Sequence, residues 1–157
     1  MEDVEFIYRL RSDGINNPYN GRQPYRHRRQ AVDFVRAALH EMAFEALFYW
    51  IVEWEGVAVG TICLWNLEPS TGTIEIGYEI LPEYRRRGLA GAALRRVLDF
   101  GELQERFTTY EAYVHPENVA SLRMLHREGF RQGVLSTEQL TDRPEGFVRL
   151  LLDKTGT

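Results

Sequence analysis

The stretch TIEIGYEILPEYRRRGLAGAALRR, residues 73–96, changes its period in the middle. Through Leu81, Ile74, Ile76, Tyr78 and Ile80 alternate with Glu75, Gly77 and Glu79, which predicts a strand with an apolar and a polar face. From Gly88 the apolar spacing becomes helical and runs to about Leu103. Between strand and helix, Arg85, Arg86 and Arg87 meet Gly88 and Ala90. A helix N-terminus carries unpaired N–H groups and about half a positive charge, so anions bind there readily. Glycine and alanine let the backbone approach a phosphate, and glycine accepts positive φ. The turn alone fits two readings: an anion cradle, or a wet surface turn whose arginines are merely solvated. There are too few glycines for a dinucleotide fingerprint, and no Gly-Lys-Ser/Thr for a nucleoside triphosphate loop.

Working outward, residues 3–12 place Val4, Ile7, Tyr8 and Arg11 on one side of a first helix. The Gly-, Asn- and Pro-rich SDGINNPYNGRQP, residues 12–24, reads as a loop. From Gln30, Val32, Val35, Ala38, Leu39 and Met42 recur at helical spacing. ALFYWIVEWEG and VAVGTICLWNL form a hairpin about Glu55-Gly56, and EPSTG turns the chain into the 73–81 strand. TTYEAYVHP is a further strand stopped by Pro116; Asn118 then caps a helix to Glu128, with Gly129 at its exit. FRQGVLSTEQL and GFVRLLLDK close the domain as two strands around TDRPEG. The predicted order is α-α-β-β-β-α-β-α-β-β in one domain over residues 1–157, an α/β fold with a mixed sheet.

Composition narrows the function classes. The chain has 157 residues, 44% hydrophobic, with a formal net charge of −4, which suits one core and disfavours a general nucleic-acid binder. The single cysteine, Cys63, allows no intramolecular disulfide and fits a reducing cytoplasm. The acidic, amphipathic start is no signal peptide, and no apolar run approaches the ~18 residues of a membrane span. His27, His40, His115 and His126 show no ligand spacing, so no metal is expected.

The segment Arg85-x-x-Gly88-x-Ala90 after a strand resembles the acetyl-CoA pyrophosphate motif of the GNAT N-acetyltransferases. NVASLRMLHREGF, Asn118–Phe130, resembles the Asn-x-x-Ser…Gly-Phe helix of the branch containing the ribosomal-protein N-terminal acetyltransferases. The element order matches nearly throughout. One departure is the start: a strand usually precedes the first helix, and here it is missing or very short. That would expose a sheet edge which a second copy of the chain could cover as a homodimer.

The resemblance implies a mostly antiparallel sheet with a central splayed β-α-β unit and helices on both faces. It implies acetyl-CoA as cosubstrate and direct acyl transfer to an amine. The backbone of Ile80 and Leu81 would pair with the pantetheine arm, with an oxyanion donor near Ile80. The amides of Arg86, Arg87, Gly88, Leu89 and Ala90 would wrap the pyrophosphate, with charge from Arg85 or Arg87. Asn118 would bind pantetheine; the alternative is a plain helix cap, and the two roles are compatible. Glu75, and secondarily Glu79, could take the amine proton, or could be structural acids on a polar sheet face. The tyrosine acid of many relatives is replaced by Leu125, and Ser121 matches the serine assigned that role in the ribosomal branch. The loop with Tyr19, Arg22, Tyr25, Arg26, Arg28 and Arg29 borders the acceptor side and suits an acidic acceptor, or RNA. The acceptor stays open between a protein N-terminus and a small-molecule amine. Two other classes compete: a non-catalytic acyl-CoA-binding module, and an RNA-associated factor.

Overall fold

A computed structural model describes residues 2–14, 19–133 and 146–154. Helices α1 (Glu2–Ser12) and α2 (Arg28–Ala43) come first. Strands β1 (Leu47–Trp54), β2 (Val57–Glu68) and β3 (Thr73–Ile80) follow. A short 3₁₀ turn at Pro82–Tyr84 leads to α3 (Leu89–Glu102). Then come β4 (Thr109–Val114), α4 (Val119–Arg127), β5 (Arg131–Gln132) and β6 (Val148–Asp153). Among the described residues the predicted order of these elements holds. Of the strand expected over 130–140, only Arg131–Gln132 is seen; residues 134–140 lie outside the described residues.

The sheet runs β1-β2-β3-β4-β6-β5, antiparallel except for the β3–β4 pair. The hairpin turns on Glu55 and Gly56, both with positive φ (51° and 75°), the backbone of a two-residue turn that matches strand twist. β1 forms one rim of the sheet.

Strand alternation sends side chains to two cores. Ile62, Leu64, Ile74 and Ile76 pack with Leu94, Val97 and Leu98 of α3 and Met124 and Leu125 of α4. On the opposite face, Phe6, Ile7 and Leu10 of α1 and Ala31 of α2 pack against Tyr49, Ile51 and Leu81. Helices thus cover both faces, and β3 carries two chemically different ones.

Candidate active site

The β3–β4 ladder stops early. Its register pairs are Thr73–Thr109, Ile74–Tyr110 and Glu75–Glu111, yet β3 continues to Ile80 and β4 to Val114. Beyond Glu75 the strands part into a wedge. Main-chain groups of alternate strand residues face opposite neighbours. Leu81 N–H donates to Val59 O at 2.9 Å, so Leu81, Glu79 and Gly77 face β2, and Ile76, Tyr78 and Ile80 face the wedge. This turns Ile80 towards the wedge, where its carbonyl accepts from Arg85 Nε at 3.2 Å, and corrects the expectation for Leu81. Its carbonyl accepts from Tyr84 N–H at 3.0 Å, so Leu81 anchors the turn after β3.

At the wide end of the wedge lies the arginine-glycine turn. Arg86 and Gly88 both take left-handed backbone conformations, φ 63° and 75°. For Arg86 this is unusual, and such backbone collects at functional sites. The next helical carbonyl bond runs from Ala92 N–H to Gly88 O. Among the described residues, nothing accepts from the N–H groups of Arg86, Arg87, Gly88, Leu89, Ala90 and Gly91. A Cβ on Gly88 would meet nothing within 4 Å, so the space before the turn is open. The turn therefore has the features of an anion cradle. The three arginines divide. Arg85 turns inward, with Nε donating to Ile80 O at 3.2 Å and Nη2 lying 3.8 Å from Asp13 Oδ2; it braces the strand end and does not supply rim charge. Arg86 and Arg87 are exposed, and Arg87 sits over the Tyr84 ring at 5.5 Å.

α4 begins beyond the end of β4, on the other side of the wedge. Asn118 Oδ1 accepts Ser121 N–H at 3.2 Å, a helix cap. The side-chain NH2 of Asn118 donates to no group among the described residues, so capping leaves its donor for a ligand. Ser121 Oγ is hydrogen-bonded to the hydroxyl of Tyr78, which tethers α4 to β3. Burial pushes the Tyr78 hydroxyl well above the usual phenol range, partly offset by this bond, so it stays protonated. Leu125, where the resemblance led to the expectation of a tyrosine, is fully buried in the core. The sequence reading missed Tyr78: among isoleucines it passed for core.

The opposite face of β3 meets a cavity of about 420 Å³ that reaches from Ser121 and Asn118 past Gly77 to α1 and α2. Glu75 and Glu79 are both buried and both line it. Glu79 Oε2 accepts from Arg22 at 2.6 Å and from Asn20 at 3.2 Å, which makes it a compensated structural acid. Glu75 is at the last rung of the ladder, where the wedge opens. Beside it, Glu111 is held by Arg149 at 2.8 Å. Gly77 matters for shape: a Cβ there would lie 2.7 Å from the Trp65 indole, which covers the bare backbone. The Cys63 thiol in this wall is pushed up to about 12 by burial and the nearby Glu79, so it is a neutral thiol at physiological pH.

The basic run is less free than its sequence suggests. Arg22 pairs with Glu79, Arg28 with Glu5 and Arg29 with Asp33. Among the described residues, no cluster of three or more His, Cys, Asp or Glu side chains could hold a metal, and no helix is long and apolar enough to cross a membrane.

Residues 1–131 match the family described as acetyltransferase (GNAT) domain. The uncharacterized N-acetyltransferase YoaA of Bacillus subtilis (strain 168) is 30% identical over 139 residues, 85% of this chain and 77% of its own. The uncharacterized N-acetyltransferase p20 of Bacillus licheniformis is 26% identical over 139 residues, 86% of this chain and 78% of its own. Mycobacterium smegmatis RimJ, solved with CoA-disulfide, superposes with a TM-score of 0.80 at 22% identity, over 97% of this chain and 78% of that one. Spermidine N-acetyltransferase from Vibrio cholerae, solved with CoA and spermine, gives 0.80 at 17% identity, over 98% and 90%.

Proposed function

Because the chain belongs to the acetyltransferase (GNAT) domain family, we propose that it moves an acetyl group from acetyl-CoA directly to a primary amine. The observation that carries the reading is the wedge between β3 and β4, with unanswered N–H groups from Arg86 to Gly91 at its wide end. Those amides fit a pyrophosphate. The edge of Ile76, Tyr78 and Ile80 fits the amide-bearing pantetheine arm as an added strand, and Asn118 offers it a donor.

The thioester supplies the activated acyl carbon. The chain's residues supply the rest. Glu75, buried at the start of the wedge, takes the amine proton, directly or through water. Main-chain N–H groups on the Tyr78–Ile80 edge face the position of the developing oxyanion. Tyr78, kept protonated, shares a hydrogen bond with Ser121 Oγ; with Tyr78 as its donor, the Ser121 hydroxyl proton is directed towards the leaving sulfur. This pairing answers the main argument for a non-catalytic module, the leucine at 125. The carboxylate partners of Arg22, Arg28 and Arg29 weigh against an RNA-associated role.

The test joins binding to turnover. Calorimetry should show acetyl-CoA binding that is lost in Gly88→Glu, which sets a carboxylate against the pyrophosphate. A thiol-release assay over peptides, amino acids, polyamines and aminoglycosides should show release with some primary amine. Unchanged affinity in the variant would falsify the site.

A further inference from the structure

Residues 19–22, between α1 and α2, reach across the cavity from one side of the wedge to the other. Tyr19, Asn20 and Arg22 all line the cavity. On the β3 side, Glu79 Oε2 accepts from Asn20 at 3.2 Å and from Arg22 at 2.6 Å. Gly21, with φ 62°, turns the chain between these two donors, a conformation glycine adopts without strain. The Arg22 and Glu79 side chains are 21% and 7% exposed, so salt screens their attraction little. On the β4 side, the Tyr19 ring packs against His115, the residue after β4, with centroids 5.7 Å apart. His115 is itself fixed twice. Its Nδ1 accepts from Glu117 N–H at 3.2 Å, and its ring meets Phe147 edge-on at 5.6 Å.

The strands do not join these two sides themselves. β3 and β4 part beyond Glu75, and Glu79 and His115 stand on opposite banks of the gap. Residues 19–22 bridge it on the cavity face. Further along, Tyr25 N–H donates to Arg11 O at 2.9 Å and fastens the chain back to α1. If the wedge holds acetyl-CoA, its thioester lies beneath this bridge. A thioester open to solvent has a competitor for its acetyl group: water adds to the carbonyl carbon, the C–S bond breaks, and acetate and the CoA thiol leave. Covering the site excludes that competitor until the amine is in place.

We infer that Glu79 and His115 are positioning residues: they hold residues 19–22 as a roof over the acetyl-transfer centre and so keep water from the thioester. This rests on the acetyl-transfer reading and goes beyond it. Glu79 acts through Asn20 and Arg22, and His115 acts through Tyr19; neither has to move a proton.

The test reads the roof and the chemistry separately. Hydrogen exchange of the whole protein, followed by mass spectrometry, reads residues 19–22. Thiol release from acetyl-CoA with no amine present reads water at the thioester. Glu79→Ala and His115→Ala should each raise exchange at residues 19–22 about tenfold and amine-free thiol release about threefold, with acetyl-CoA affinity by calorimetry close to wild type. Glu79→Gln keeps an oxygen for Asn20 and Arg22, and His115→Phe keeps a ring for Tyr19, so both should stay nearer to wild type in both readouts. Unchanged exchange at residues 19–22 in both alanine variants overturns the inference. So does exchange raised evenly over the sheet, which marks a general loss of stability. Raised local exchange with unchanged thiol release overturns the roof while acetyl transfer stands. No acetyl-CoA binding by the wild-type protein overturns the transfer reading and the roof with it.

Discussion

At the scale of single residues, the proposed chemistry rests on a carboxylate and a hydroxyl pair on opposite faces of one strand. Glu75→Gln should lower kcat/KM by about 10²- to 10⁴-fold, the usual range for a general base, and leave acetyl-CoA affinity intact by calorimetry. Ser121→Ala should lower kcat about 10²-fold, Tyr78→Phe somewhat less, and the double variant little further than Ser121→Ala, because the two hydroxyls act as one unit. Steady-state kinetics at saturating acetyl-CoA checks this; additive losses would mean separate roles. Cys63, neutral up to about 12, should react slowly with Ellman's reagent at pH 8 in the native state and promptly after unfolding. Its linkage has a definite sign. The folded thiol holds its proton more tightly than the unfolded one, so its stabilising contribution is full below the unfolded value near 8.5 and is lost as pH rises through about 12. Glu75 and Ser121 could be proposed from the sequence because they sit in recognisable motifs. Tyr78 was not: its partner is 43 positions away, and only folding brings α4 across to β3.

At the scale of elements, both helices that flank the wedge begin on residues with two duties. Asn118→Asp keeps an oxygen for the Ser121 N–H, so urea denaturation should find stability close to wild type. It removes the side-chain NH2, so acetyl-CoA affinity should fall. Loss of both together would make the residue a cap alone. The packing of α3 on β4 is similarly specific. A Cβ on Gly101 would lie 1.7 Å from the hydroxyl of Tyr110, which is 1% exposed and has no room to retreat. Gly101→Ala should therefore cost about 1–3 kcal/mol, read as a lower urea midpoint at unchanged slope. The elements themselves were legible from period and punctuation, down to the Glu55-Gly56 turn and the Asn118 cap. The 3₁₀ turn at Pro82–Tyr84 and the inward rotation of Arg85 were not. Three adjacent arginines look alike in a sequence, and what separates them is which one can reach Ile80 O and Asp13.

At the scale of the whole molecule, the sheet is two three-stranded units, β1-β2-β3 and β4-β6-β5, joined through the short register at Thr73–Glu75 and Thr109–Glu111. Its mixed topology was legible because a strand-helix-strand crossover demands a parallel pair within an otherwise antiparallel order. The length of that pairing was not, since nothing in the alternation of β3 or β4 marks where the strands part. Acetyl-CoA at a hundred times its dissociation constant should add about 2.7 kcal/mol to stability. Amide exchange should slow at Ile76, Tyr78 and Arg86–Gly91, far from β1; protection spread evenly over the sheet would place the ligand elsewhere. The short seam has a consequence for the protein's lifetime. The two halves share one core but only a short strand seam, so what the chain binds adds a tie across them; with that compound scarce the chain spends more time open, and opened chains are what proteases cut. Stability differences of about 1–2 kcal/mol already change cellular abundance several-fold. The amount of this enzyme in a cell is then expected to follow the supply of acetyl donor without any dedicated sensor.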